Sequence, residues 1–297
     1  MKKIVVLIAF VLCSINSTIA QEWLTSYTLA KKLALVKNKM MLVIWEDAAN
    51  YSYPLLVDTK EGSQIVVELF ESDKIKQLVW EYFVPVIINE SNYDKLYHGG
   101  VKNRRVSYIE RFNDDKLKVM DPNGNILNLS ERDDFSMTNM SLLIQKYALD
   151  TSFLSNEMKQ YFEHKNYASA FRLANRYLDF AMYAEDFVKE ELIALSDLYM
   201  DEATDLLKLS DIEHKEALHQ KQELLKIEGF LIIGKFKKAR RFLKKHETES
   251  IDDLNQSLFS FLNYVTFRGL DDMDQAIKWR DSLSQSDLNK VELLLKK

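Results

Sequence analysis

Residues 72–89, SDKIKQLVWEYFVPVIIN, combine a helical pattern and an apolar run with no loop between them. Apolar residues recur every three or four positions from Ser72 to Tyr82, which predicts an amphipathic helix with Ser72 as its N-cap. Residues 83–88 then form a continuous apolar run, typical of a strand that is buried on both faces. A helix followed at once by a buried strand indicates an α/β unit.

The flanking segments extend this alternation of helix and strand. The other predicted elements are a helix over 26–37, a buried strand over 40–45, two strands over 116–120 and 125–129 joined by a turn at 121–124, and a helix over 138–149. Proline and glycine in the 121–124 turn suit its tight geometry. The chain order predicts an α/β layered domain with a mixed sheet.

Residues 23–149 resemble the thioredoxin fold of exported thioredoxin-family proteins. The resemblance rests on a helix led by Trp23, the strand MLVIW at 41–45, the helix and strand of 72–89, and the hairpin LKVMDPNGNIL at 117–127. It implies an α/β thioredoxin-like N-terminal domain.

The same resemblance implies where redox chemistry would lie. Redox members carry two cysteines two residues apart after the strand, and Asn50 and Tyr53 fall near those positions. The family also sets a proline before the hairpin strand, where this chain reads DDK at 114–116. Thiolate chemistry requires a cysteine, so the resemblance implies a module that has lost its redox function.

Residues 1–20 have the pattern of a secretory signal peptide. Lys2 and Lys3 precede an apolar run, and small residues precede a cleavage position at Gln21. This pattern predicts an exported chain, periplasmic or extracellular, that is soluble after cleavage and has no transmembrane segment. Two of the 40 basic residues and none of the 45 acidic ones lie in 1–20, so the remainder carries a net charge of −7. An acidic chain is a poor candidate for nucleic-acid binding.

The composition also bears on catalysis. The single cysteine, Cys13, lies within the predicted signal peptide and excludes an intrachain disulfide, a zinc ribbon or an iron–sulfur cluster. The sequence contains no G-x-S-x-G elbow and no complete phosphate loop. We therefore expect no catalytic residue, no metal and no cofactor.

The second half of the chain is predicted to be helical. No proline follows Pro122, and proline is the strongest breaker of helix interiors. Turn and capping residues at 150–155 mark the boundary between the α/β half and the helical half. The predicted organisation is a signal peptide at 1–20, a thioredoxin-like domain at 21–150 and an all-α, tetratricopeptide-like helical-repeat domain at 151–297.

The repeat assignment rests on four alanines, each followed three positions later by a large apolar residue. They are Ala170, Ala203, Ala239 and Ala276, which lie 33, 36 and 37 residues apart. A period near ~34 residues is that of tetratricopeptide-type helical hairpins. The surroundings of Ala203 match least well, and an irregular helical bundle is the alternative.

Two surfaces are candidates for partner binding. The first is the tract 47–63, which either buries locally or presents Tyr51, Tyr53 and Leu55 to a partner. The second is the basic stretch 235–245, with the candidate residues Lys237, Lys238, Arg240, Arg241 and Lys244. It is either a repeat helix with one core face and one solvated face, or a docking patch for an acidic partner or anionic lipid head groups.

These observations predict an exported, non-catalytic thioredoxin-like protein that binds or scaffolds a protein or peptide partner. Fold-level analogy is the basis of this expectation. A thiol-disulfide oxidoreductase-related enzyme with an atypical active site is the alternative.

Overall fold

The computed structural model describes residues 21–129, 137–246 and 250–295, so the predicted signal peptide lies outside the described residues. A mixed α/β region precedes an all-helical region. The first region contains α1 (Tyr27–Lys37), β1 (Met41–Trp45), α2 (Glu46–Ala49), β2 (Pro54–Asp58), β3 (Gln64–Glu68), α3 (Asp73–Tyr82), β4 (Val84–Ile88), α4 (Glu90–Gly99), a 3₁₀ turn (Val101–Asn103), α5 (Val106–Asn113), β5 (Lys118–Met120) and α6 (Met140–Tyr147).

Strand β1 is the centre of a sheet with the order β4–β1–β5. It runs parallel to β4 and antiparallel to β5. Isolated bridges continue the sheet by one residue at each side, from Leu24 to Val86 and from Ile126 to Met120. All five residues of β1 are buried, as its continuous apolar run predicts. Strands β2 and β3 form a separate antiparallel hairpin.

The predictions from residues 72–89 are confirmed. The side chain of Ser72 accepts a hydrogen bond from the Ile75 backbone N–H at the start of α3. Strand β4 follows after one residue, Phe83, which is fully buried. Helices α1 and α6 lie within their predicted limits.

The hairpin that follows is less regular than its sequence predicts. The strand expected over 116–120 begins only at Lys118, because the Leu117 backbone N–H donates to the Tyr53 hydroxyl (3.1 Å). A side chain therefore takes the hydrogen bond that a longer strand would need.

The partner strand predicted over 125–129 is reduced to the bridge at Ile126. The Ile126 N–H donates to the Tyr108 hydroxyl (3.1 Å), and the Val119 N–H donates to Asn128 Oδ1 (2.9 Å). These side-chain acceptors partly replace the backbone hydrogen bonds between the two strands. The second strand is therefore much shorter than predicted.

The second region is helical, as its lack of proline predicts. Its elements are a 3₁₀ turn (Ser152–Leu154), α7 (Ser155–Glu163), α8 (Tyr167–Tyr183), α9 (Asp186–Leu209), α10 (Lys215–Ile232), α11 (Phe236–His246), a 3₁₀ turn (Asp253–Asn255), α12 (Gln256–Gly269), α13 (Met273–Arg280) and α14 (Gln285–Leu295).

Three helix pairs in this region share one geometry. Pairs α7–α8, α10–α11 and α12–α13 are each joined by three residues, and the second helix begins on Tyr167, Phe236 or Met273. Its fourth residue is in each case a fully buried alanine: Ala170, Ala239 and Ala276. A small residue at this position lets the second helix lie close to its neighbours. The fourth predicted alanine, Ala203, is also fully buried but lies within the long helix α9.

The two regions share one apolar core. Within it, Asp121 of the hairpin turn is fully buried and accepts hydrogen bonds from the hydroxyls of Tyr177 (3.0 Å) and Tyr199. Two backbone N–H groups of its own turn also donate to this carboxylate. Separately, the Thr151 N–H donates to the Asn38 carbonyl (2.9 Å). Buried polar contacts therefore cross the predicted boundary near residue 150.

Candidate functional site

The thioredoxin resemblance places redox cysteines just after β1. In the structure, this segment consists of the short helix α2 followed by residues 50–53. Asn50 is exposed and ends α2, where its backbone N–H donates to the Glu46 carbonyl (3.2 Å). Tyr51 is 75% exposed. Neither side chain can form a thiolate.

Tyr53 is built into the fold. Its hydroxyl accepts from Leu117 N, and its backbone N–H donates to Glu68 Oε2 (3.0 Å). Burial raises the pKa of Tyr53, while the hydrogen bond from Leu117 opposes the shift. A neutral, hydrogen-bonded phenol at this position fixes the segment before β5.

The tract 47–63 contains strand β2. Leu55 of this strand is fully buried, so the fold does not offer it to a partner. Of the three candidates in the tract, Tyr51 is exposed and Tyr53 half-buried. Of the two alternatives for this tract, local burial therefore holds for Leu55.

A buried ionic cluster lies beneath this position. The ammonium of Lys118 donates to Asp114 Oδ1 (2.9 Å), to the Asp114 carbonyl and to the Lys116 carbonyl (2.9 Å), and lies 5.0 Å from the Trp45 ring centre. Arg111 also binds the Asp114 carboxylate (2.9 Å). Burial lowers the pKa of Lys118 to about 8, and Asp114 opposes the shift. All three donors of the ammonium are used, so this lysine ties the segment 114–116 to the start of β5.

An acidic cleft of 290 Å³ opens at the carboxyl ends of β1 and β4. Trp45 and Tyr93 pack edge to face in its wall, with ring centres 5.0 Å apart. Carboxylates at its rim come from Glu46, Asp47, Glu90, Asp94 and Asp115. In the part of the chain that the structure describes, no three histidine, cysteine or carboxylate side chains are arranged to hold a metal ion.

A larger groove of 520 Å³ lies between α9, α10 and α11. Phe230 and Phe242 form its apolar surface, with ring centres 5.4 Å apart. Two acidic residues of α9 in its wall are paired with lysines, Asp201 with Lys226 (2.7 Å) and Asp205 with Lys208 (2.9 Å). The groove therefore combines an aromatic surface with two lysine-paired acidic groups, and Glu223 of α10 lies in its wall 4.0 Å from His219.

The candidate basic residues belong to α11, which forms one side of this groove. Lys237, Lys238, Arg241 and Lys244 are exposed, Arg240 is half-buried, and Ala239 and Leu243 face the core. The Lys238 ammonium lies 4.1 Å from the Phe230 ring centre, and the Arg241 guanidinium lies 5.3 Å from that of Phe242. The structure therefore brings part of the predicted basic patch to the edge of an aromatic groove.

None of the residues that line the groove was predicted as a site residue, and Thr204, Gln222 and Phe230 are among them. Each lies on a helix that contributes no basic cluster, and a single polar or aromatic residue on a helix gives no sign of a site. The one sequence signal for a site here is on α11, where aromatic residues alternate with cations.

No protein-family model, curated protein or solved structure matches the chain. The class that its own geometry defines is a small α/β region joined through a common core to helical hairpins. Among the described residues, no helix has the length and apolar character needed to cross a bilayer.

Proposed function

We propose that this chain is an exported protein-binding module without thiol redox activity. In this proposal a thioredoxin-like region supports a tetratricopeptide-like helical region that holds the partner. The observation that carries the proposal is Tyr53, which occupies a position expected for a redox cysteine and is fixed there by its hydrogen bond with Leu117.

The sheet supports a thioredoxin-like assignment. The strand that precedes the expected redox position, β1, is central, and it is followed by a helix, a parallel strand and an antiparallel strand in the chain order on which the resemblance rests. The three matching helix pairs with three-residue turns support a tetratricopeptide-like assignment. Stacked helical hairpins present grooves that suit polypeptide ligands.

The redox part of this proposal is tested with residues 21–297 and a disulfide-containing substrate protein in the presence of dithiothreitol. We expect the rate of reduction to equal that of dithiothreitol alone, because the chain after residue 20 contains no thiol. Turnover above this background would overturn the proposal and favour an oxidoreductase with an atypical active site.

The binding part is tested by selecting short random peptides displayed on phage against the same immobilised protein. We expect a family of related peptides to be enriched over empty support. Absence of any enriched family contradicts a peptide-binding function.

A further inference from the structure

The groove between α9, α10 and α11 contains a buried amide with an unused hydrogen-bonding end. Gln222 of α10 is 2% exposed and lines the groove. Its Oε1 accepts from the Thr204 hydroxyl (2.9 Å), whereas no described residue accepts a hydrogen bond from its Nε2. Leaving a buried polar group without a hydrogen-bond partner is unfavourable, so a ligand that pairs with it gains affinity.

The chemistry of a polypeptide main chain fits this amide. If the amide is turned by 180°, its amine faces Thr204 and its carbonyl becomes the unused end. A main chain offers both a carbonyl and an N–H, so it can pair with Gln222 in either orientation. Phe230 and Phe242, further along the same groove, provide an apolar surface for one side chain of the same ligand.

The charge at the edge of the groove selects the flanking residues of the ligand. Six of the eleven residues of α11 are lysine or arginine and none is acidic, whereas the whole chain carries a net charge of −5. Among the described residues, no carboxylate forms an ion pair with Lys237, Lys238, Arg241 or Lys244. On the opposite wall, the acidic residues Asp201 and Asp205 are already paired with lysines. The unpaired charge on α11 is therefore positive, whereas the carboxylate of Glu223 on α10 lies in the groove wall 4.0 Å from the imidazole of His219.

The packing of α11 argues against a membrane as the occupant. A helix that lies in a lipid interface inserts its apolar face among the head groups and acyl chains. The apolar face of α11 is already used, because Ala239 and Leu243 are fully buried in the protein. A concave groove with a buried amide also suits a polypeptide better than a planar surface.

We infer that this groove binds an acidic polypeptide segment that carries one apolar side chain. The apolar side chain packs on Phe230 and Phe242, the main chain pairs with the Gln222 amide, and acidic residues contact Lys238 and Arg241. This inference rests on the proposed protein-binding function and adds the site and the chemistry of the partner.

The experiment compares peptides selected by residues 21–297 with those selected by Lys238→Glu/Arg241→Glu. Lys32→Glu/Lys74→Glu is the matched control, because it makes the same change of charge at exposed positions of the α/β region. We expect the unaltered protein to select peptides with acidic residues around an apolar one. Their affinity should fall more than about tenfold in the groove variant, since like charges then face each other, and remain unchanged in the control.

A Gln222→Met variant tests the amide. We expect an affinity about fivefold weaker, the effect of one lost hydrogen bond. The unfolding midpoint should not fall, because the single proton of the Thr204 hydroxyl, no longer shared with Gln222, can donate to the Met200 carbonyl (2.9 Å). An unchanged affinity would exclude the proposed role of Gln222.

The remaining outcomes separate this inference from the general function. Selected peptides without acidic residues, or acidic peptides held equally by both charge variants, overturn the inference but leave peptide binding intact. Absence of selected peptides overturns both. Dimerisation in sedimentation that is lost in Lys238→Glu/Arg241→Glu assigns the groove to a second copy. Binding to phosphatidylserine vesicles but not to phosphatidylcholine vesicles, lost in the same variant, assigns α11 to a membrane.

Discussion

At the residue scale, Asp197 of α9 shows how burial changes ionisation. Burial raises its pKa from 3.8 to about 6, while the nearby Lys226 opposes the shift. Asp201, Arg105 and Lys238 also act on it electrostatically, Asp201 raising its pKa and the two cations lowering it. The carboxylate is therefore more costly to ionise in the folded protein than in the unfolded chain.

This shift gives a sign for the pH dependence of stability. Between about pH 4 and pH 6 the folded state binds a proton that the unfolded state has lost, so the free energy of unfolding falls as the pH rises through this window. Above pH 6 the carboxylate is ionised in both the folded and the unfolded state, so the folded protein bears the full free-energy cost of burying its charge. We expect Asp197→Asn to remove this dependence and to raise the free energy of unfolding by roughly 1–3 kcal/mol at neutral pH.

Urea titrations at several pH values measure the Asp197 effect. Asp211→Asn, on the exposed turn after α9, is the control and should change stability by less than about 0.5 kcal/mol. A loss of stability in Asp197→Asn at neutral pH would show that its contacts with cations outweigh its burial.

Sequence reasoning could not identify the buried polar residues. Asp121 was predictable as a turn residue, but its contacts with Tyr177 and Tyr199 involve side chains more than 50 positions away. Gln222 likewise has the sequence character of a solvated helix residue. Burial of a polar group depends on tertiary packing, which no local pattern encodes.

At the scale of elements, Gly269 sets the distance between two hairpins. It is the last residue of α12, and a Cβ atom there would lie 2.3 Å from the ring of Phe236, the first residue of α11. We expect Gly269→Ala to destabilise the protein by about 1–3 kcal/mol, because the aromatic ring must move out of a packed position. Chemical denaturation measures this loss.

Gly99→Ala is the matched control for this prediction. Gly99 is also the last residue of a helix, α4, but a Cβ atom there would meet no heavy atom within 4 Å. Its replacement should leave stability unchanged or slightly higher. Equal effects of the two variants would mean that the contact with Phe236 does not restrict the packing of α11.

Most helices and buried strands were predictable because their signals are local. Ser72 caps α3 as its residue type suggests, and the continuous apolar runs became β1 and β4. The strand expected over 125–129 failed because Tyr108, 18 positions before Ile126, supplies the hydrogen-bond acceptor. Local patterns therefore failed where side chains distant in sequence supply the hydrogen bonds.

At the scale of the whole molecule, the sequence predicts a boundary near residue 150, but we do not expect the two sides to fold independently. Separation at this point would leave Asp121 without the hydroxyls of Tyr177 and Tyr199 and would expose their shared core. We expect residues 21–297 to unfold in one cooperative transition, and the fragments 21–150 and 151–297 to unfold at lower temperatures. Circular dichroism follows these transitions.

The Tyr199→Phe variant of the full chain isolates one of these contacts. It should lower the free energy of unfolding by about 1–3 kcal/mol, because a buried carboxylate loses one of its donors. Tyr183→Phe, at an exposed position, should have no comparable effect. Fragments with the same midpoint as the full chain would instead favour two autonomous domains.

Helix α9 contacts both the α/β region and the groove within a single turn. Tyr199 holds the carboxylate of Asp121 in the α/β region, and Asp201, two residues further on, lies in the wall of the groove. Residues two apart point to nearly opposite sides of a helix, so this turn of α9 faces the α/β region on one side and the groove on the other. The same few residues of α9 therefore form part of both the shared core and the wall of the groove.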